Sequence, residues 1–194
     1  MNGAVRDLLA RNRSFRRFEE NRRLDRSTLI ELVELSRLCP SGGNRQPLRF
    51  MIASQPGETA RVFPCLRWAA LLKDWGGPTP GQRPAAYVLI LRDPRIAGTF
   101  ELDAGIVAQS LLLAAVEHGW GGCLVGSIDR DQLRTAMHVP TELEIVLVIA
   151  LGHPAETVML EEAKGPDDIA YWRDAAGVHH VPKRPMAQVL IEPK

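Results

Sequence analysis

From Arg11 to Phe18 the chain reads Arg11-Asn12-Arg13-Ser14-Phe15-Arg16-Arg17-Phe18, a run in which guanidinium groups alternate with a hydroxyl and two aromatic rings. Arginine presents a fixed fork of N–H donors that matches phosphate oxygens, and a serine between two arginines adds a short donor without crowding them. The chemistry that suits this run is a grip on a phosphate. Part of it also reads as a solvated charged face, because Arg22, Arg23 and Arg26 follow, interleaved with Glu19, Glu20 and Asp25. A second run, Pro40-Ser41-Gly42-Gly43-Asn44-Arg45-Gln46-Pro47, carries a different chemistry. Its glycines permit close backbone approach to a ligand, and its hydroxyl and two amides offer neutral donors and acceptors to a heteroaromatic edge. The flanking prolines stiffen the loop before anything binds. Taken alone, the same residues make an ordinary connecting loop.

Other chemistries find less support. The formal net charge is +1, which argues against nucleic acid as a partner and favours a small phosphorylated ligand. Cys39, Cys65 and Cys123 are odd in number and contain no C-x-x-C pair, so neither a disulfide framework nor a zinc site is expected, and a reducing cytoplasm is the expected compartment. His179 and His180 are adjacent, so in an extended chain they point to opposite sides, and no metal spacing accompanies them. They read as structural. No G-x-S-x-G elbow is present. No stretch approaches the roughly 18 apolar residues of a membrane span, so a soluble protein is expected.

The elements that must position these residues follow from periodicity. With 194 residues and 45% hydrophobic content, one domain covering 1–194 can bury roughly 70% of its unfolded surface. Helical spacing is expected over Ala4–Asn12 and over Ser27–Leu38, the latter capped by Ser27 and burying Leu29, Leu32, Val33 and Leu35. Leu48–Ala53 and Ala85–Leu91 read as strands, as do Cys123–Ile128 and Ile145–Leu151, the last two joined by a short helix over Asp129–Met137. Phe100–His118 is apolar on nearly every side and predicts a central helix buried on most faces, in which Gln109 and Ser110 require partners. Residues 58–84 hold Trp68, Trp75 and several Gly and Pro residues, a pattern that suits either a lid or a surface loop whose tryptophans cover core. Gly119, Gly121 and Gly122 follow a helix and enter a strand, the reverse of a dinucleotide-binding loop. The fold class is mixed α+β.

In its motifs the chain resembles the FMN-dependent nitroreductases, which open with Arg-Ser-x-Arg-x-Phe and continue with Pro-Ser-x-x-Asn-x-Gln-Pro. Here these are Arg13 through Phe18 and Pro40 through Pro47, one helix apart, and the likeness runs on through Asp103-Ala104-Gly105, Gly119 through Gly126, and Val181-Pro182-Lys183-Arg184. The resemblance implies a central mixed, mainly antiparallel sheet flanked by helices in an intertwined homodimer whose C-terminal segment, 165–194, wraps the partner. It further implies FMN as cofactor, with Arg13, Ser14, Arg16, Pro40, Ser41, Gly42, Asn44, Gln46, Val125, Gly126, Lys183 and Arg184 as binding positions. Val125 and Gly126 match the strand that passes beside the flavin ring edge, where many relatives carry glutamate at the Val125 position. Asn12 stands where relatives commonly have another arginine, a loss that Arg11, Lys183 or Arg184 would have to make good.

The activity implied is an FMN-dependent oxidoreductase that passes hydride from NAD(P)H to a small aromatic or quinone-like acceptor by a ping-pong mechanism, with no amino-acid nucleophile. Arg16 is expected beside the anionic edge of the reduced ring. Two other readings stand beside it: an FMN-binding protein without efficient NAD(P)H turnover, used for storage, sensing or dehalogenation, and a phosphate-ligand enzyme with no flavin.

Overall fold

The structure is a computed structural model that describes residues 3–98 and 100–193. Elements follow in the order α1 (Ala4–Arg11), α2 (Arg26–Arg37), β1 (Leu48–Ala53), α3 (Pro56–Val62), β2 (Ala86–Arg92), α4 (Phe100–Glu117), β3 (Gly121–Val125), α5 (Arg130–Met137), β4 (Glu144–Gly152), β5 (Val158–Glu162), β6 (Trp172–Arg173), β7 (His179–Lys183) and α6 (Met186–Val189). The first four strands form one sheet in the order β1-β2-β4-β3, antiparallel throughout. This is the expected α+β architecture. Strand β2 sits inside the sheet, and its period of two divides the core. Ala86, Val88 and Ile90 face a layer containing Leu29 and Leu32 of α2 and Leu111 of α4. Tyr87, Leu89 and Leu91 face Val62 of α3 and Leu133 of α5.

Two helices depart from expectation. Asp25 rather than Ser27 occupies the N-cap of α2, a position its short acidic side chain suits because it also meets the positive end of the helix dipole. Leu35, expected in the buried stripe, is 39% exposed. Helix α4 is less enclosed than its composition suggests: Leu102 and Ile106 are exposed, as is Gln109, and Ser110 satisfies its hydroxyl by donating to Ile106 O at 2.8 Å. Gln109 and Ser110 therefore need no buried partners.

The C-terminal third forms a second sheet in the order β5-β7-β6, with β5 and β7 parallel. Between the two sheets runs the extended segment Ser14–Phe18, paired with Gly122 at one end and Pro154 at the other. Gly121 of β3 makes room for it, and Gly122 makes room for β4 and α4. A Cβ on Gly121 would lie 2.6 Å from the Phe15 ring, and one on Gly122 would lie 2.3 Å from Ala150 O. These are packing glycines, and a backbone oxygen in a central strand cannot step aside. Gly122→Ala is therefore expected to cost about 3 kcal/mol, read as a lowered urea midpoint at unchanged m-value.

Candidate cofactor site

Helix α1 delivers the chain to Arg13, and the pairing of Ser14 with Gly122 then fixes the next residues in extended form. This places Arg13, Ser14 and Arg16 against β5 and β7, where they line a cavity of about 340 Å³ with His179 and Lys183. Among the described residues, no carboxylate lines it. Three cations and a hydroxyl make a donor set suited to a phosphate. Arg11 takes no part, since its guanidinium is held by Asp7 at 2.8 Å and Val116 O at 3.2 Å. Arg184 also turns away and donates to Pro166 O. Lys183 alone of the C-terminal basic pair reaches the cavity.

Arg16 and Tyr171 also line a second, adjoining cavity of about 230 Å³, whose other walls include Arg67, Trp68, Cys123, Val125 and Gly126. Gly126 is informative here. Its φ lies outside the left-handed region, and a Cβ built on it would meet no protein atom within 4 Å. Neither backbone conformation nor packing asks for glycine at this position, whereas a flat ligand lying along the strand would. Burial pushes the Cys123 thiol up to about 12, so it stands in the wall as a neutral group.

Arg16 is held from several sides. Its Nη1 donates to Ser14 O and to His179 Nε2, each at 3.2 Å, and its guanidinium lies 5.0 Å from the centre of the Tyr171 ring. An arginine always donates, so His179 Nε2 accepts and the proton of the neutral ring sits on Nδ1. His180, the next residue, faces the other side of β7. It stacks on Trp172 at 4.0 Å, with Nδ1 3.2 Å from Glu161 and Nε2 3.3 Å from Asp174. Burial, and after it the charge of Arg16, pushes the His179 pKa down to about 4. Its unfolded value is about 6.5. Below pH 6.5 the unfolded chain takes up a proton that the folded chain refuses, so this residue makes stability fall as pH drops from 6.5 towards 4. His179→Asn keeps an acceptor for Arg16 but has nothing to titrate, and denaturant midpoints measured at pH 7, 5.5 and 4.5 are expected to fall less steeply in this variant.

Beneath these groups lies a carboxylate that sequence reasoning passed over. Glu156 has a side chain only 1% exposed, and it accepts from the backbone N–H of Arg16, from that of Arg17 at 3.1 Å, and from Arg173 Nη2 at 2.7 Å. It ties the N-terminal run to β6. The guanidinium groups of Arg17 and Arg173 both lie over the Trp75 ring, 5.9 and 4.7 Å from its centre, and Leu71 N–H reaches Tyr171 Oη at 3.3 Å. Residues 68–75, within the stretch considered as a lid, are thereby strapped to the tail.

The loop Pro40–Pro47 lies elsewhere. Pro40, Ser41 and Gln46 line a third cavity, of about 350 Å³, with Asp103 of α4, and share none of its lining with the other two. The Ser41 hydroxyl donates to Asp103 Oδ2 at 2.6 Å, and Gly42 N–H donates to Asp103 Oδ1 at 3.0 Å. Gln46 donates to Asn44 through its side chain. Gly43, Asn44 and Gln46 all have positive φ, an uncommon concentration of left-handed backbone that the Asp103 anchor helps to hold. Within one chain, then, Arg13, Ser14, Arg16, Val125, Gly126 and Lys183 come together, while Pro40, Ser41, Gly42, Asn44 and Gln46 form a separate group. The interruption of an apolar helix by Asp103 was the available signal for the anchor.

Comparison with known proteins bears on the family and the fold. The chain is 26% identical over 165 residues to an iodotyrosine deiodinase of Thermotoga neapolitana, covering 76% of this chain and 87% of that protein. It is 21% identical over 155 residues to a protein of Archaeoglobus fulgidus provisionally named NADH dehydrogenase/NAD(P)H nitroreductase, covering 76% of this chain and 84% of the other. Its fold matches the structure of an FMN-dependent nitroreductase from Clostridium difficile R20291 with a TM-score of 0.63 at 18% identity, over 83% of this chain and 92% of that one. The family model described as the nitroreductase family matches residues 9–153, a span that includes the Arg13–Phe18 grip, the Pro40–Pro47 loop and the strand ending at Val125. The chain belongs to the nitroreductase family.

Proposed function

We propose that this protein is an FMN-dependent oxidoreductase that transfers electrons from NAD(P)H to a small aromatic or quinone-like acceptor in a ping-pong cycle. The observation that carries the reading is a single one: a cavity lined by Arg13, Ser14, Arg16 and Lys183, with no carboxylate among the described residues of its wall, adjoins, through Arg16 and Tyr171, a slot beside the unfilled face of Gly126. Those residues fit FMN, with Arg13, Ser14 and Lys183 taking the phosphate and the Val125–Gly126 strand lying along the ring. When bound, the flavin supplies the two-electron chemistry that no side chain here offers. The protein binds and orients. Arg16, fixed by His179, Ser14 and Tyr171, places a permanent positive charge at the junction of the two cavities, where it favours an anionic reduced ring.

A second copy completes the site in this reading. Within its own chain the Pro40–Pro47 loop lies apart from both of these cavities, and exposed apolar side chains stand nearby in the sequence and on α4, Leu38 at 70%, Leu102 at 66% and Ile106 at 41%. Such a face suits a homodimer interface that presents the loop of one copy to the cavity of the other. Met186, Val189, Leu190 and Ile191 are likewise exposed near the C-terminus and suit an arm over the partner. All three cysteines are free, as a reducing compartment such as the cytoplasm allows, and no helix among the described residues is long and apolar enough to cross a membrane.

Steady-state kinetics with NADH or NADPH and a quinone test the proposal. Parallel double-reciprocal lines are expected, and intersecting lines would show both substrates bound at once and refute the ping-pong cycle. The similarity to an iodotyrosine deiodinase favours one alternative, an FMN protein with dehalogenating or other specialised chemistry. Bound FMN that neither nicotinamide reduces would select it.

A further inference from the structure

We propose that the cleft beside Arg17 is a second anion site, separate from the two cavities given to the flavin, and that it takes a phosphate group. In the extended run Ser14–Phe18 successive side chains point to opposite sides. Arg16 lines both cofactor cavities, whereas Arg17 lines a cleft of about 420 Å³ that shares no lining residue with either of them. Thr157 and the turn at Gly177 stand in the same wall. A Cβ built on Gly177 would lie 3.5 Å from Arg17 Nη1, which places the guanidinium itself, and not only its stem, at the cleft.

Arg17 is half-buried and has no counter-charge. Its Nε is buried without a hydrogen-bond partner, and among the described residues no carboxylate lies within 4 Å of its guanidinium. Glu156 belongs to the same wall but is engaged elsewhere: its side chain is 1% exposed, and its carboxylate accepts from two backbone N–H groups and from Arg173. Asp174, in the turn, accepts from Val178 N–H at 2.8 Å and lies 3.3 Å from His180 Nε2. Arg17 and Arg173 thus share the Trp75 ring and one buried carboxylate, which leaves one positive charge in excess. Arg173 registers that excess. Its pKa is lowered first by burial and further by the charges of Arg17 and Arg16, in opposition to Glu156. A half-buried guanidinium with no acceptor is costly, and a phosphate in the cleft supplies oxygens that match its fork.

The test compares the wild type, Arg17→Gln and Arg17→Lys by thermal melting in sodium phosphate and in sodium chloride of equal ionic strength. At about 50 mM, phosphate is expected to raise the wild-type melting temperature over chloride by about 4 °C. Arg17→Gln is expected to lose at least about half of that rise, and Arg17→Lys, which keeps the charge without the fork, to lie between the two. Exclusion of phosphate from the protein surface and its entry into the cavity around Arg13 act on all three proteins alike, so the difference between them isolates Arg17. If Arg17→Gln does not fold, Arg17→Lys carries the comparison. Steady-state oxidation of NADPH and NADH with a quinone then identifies the source of the phosphate. A NADPH-to-NADH ratio of kcat/KM about tenfold lower in Arg17→Gln assigns the site to the 2′-phosphate of the dinucleotide, and an unchanged ratio beside a lost phosphate response assigns it to free phosphate. A variant that matches the wild type in both readouts overturns the proposal. In a protein that holds no flavin the melting comparison decides alone, so failure of the oxidoreductase reading stays distinguishable from failure of this one.

Discussion

Glu156→Ala is expected to lower the unfolding free energy by about 3–5 kcal/mol, the largest single loss anticipated in this chain. The carboxylate is almost fully buried and holds three donors from two distant segments, the backbone N–H groups of Arg16 and Arg17 and the guanidinium of Arg173. Removing it leaves Arg173, itself only 11% exposed in its side chain, as an uncompensated buried cation. For a chain of this size the loss corresponds to a melting temperature lower by roughly 10 °C, measurable by calorimetry. Because Arg16 lines both cavities, ligand affinity falls with stability. Glu156→Gln, which keeps the shape and one acceptor, is expected to lie between alanine and wild type. A variant that melts with the wild type would show that the junction is held by packing alone.

Gly126→Val makes the second large effect and separates cofactor from fold. The added Cβ meets open space in the protein, and the backbone there is not left-handed, so apoprotein stability is expected to stay within about 1 kcal/mol of wild type. The same side chain would occupy the face proposed for the flavin ring, and FMN affinity is expected to fall at least about 100-fold, a penalty of roughly 3 kcal/mol at 1.4 kcal/mol per decade. Titration of apoprotein with FMN, followed by flavin fluorescence, measures it. Contrast with Gly122→Ala is part of the test, since that glycine is expected to matter for folding and not for binding. Full FMN affinity in Gly126→Val would place the ring elsewhere.

The parts of the structure legible in the sequence are those with strong periodicity. Strands β2 and β4 are nearly continuous apolar runs, α2 shows helical spacing and α4 is a long stretch apolar on nearly every side, so the sheet and these two helices are legible. The site was half legible. Arg13, Ser14 and Arg16 were picked out by residue type and Lys183 by the family resemblance, and they do meet in one cavity, although Lys183 is separated from the others by most of the chain. What no local pattern revealed is the platform beneath them. Strands β5 and β7 are short and carry Glu161, Glu162 and two histidines, so alternation gives little sign of a sheet whose pairing is non-local. Glu156, and the anchoring role of Asp103, escaped for the same reason. A single buried carboxylate has no period, and its partners lie 139 and 61 residues away in the cases of Arg17 and Gly42. The apolar surface of α4 was read as core because composition does not distinguish a face that packs inward from one left exposed, as Leu102 and Ile106 are.

The central claim is that the cavity formed by Arg13, Ser14, Arg16 and Lys183 holds FMN, and the visible spectrum of the purified protein, with the chromophore released by heat and identified, tests it most directly. Flavin absorbance with about one FMN released per subunit is the expected result. A colourless protein that also fails to take up added FMN would contradict it and return Arg13, Ser14 and Gly126 to structural roles.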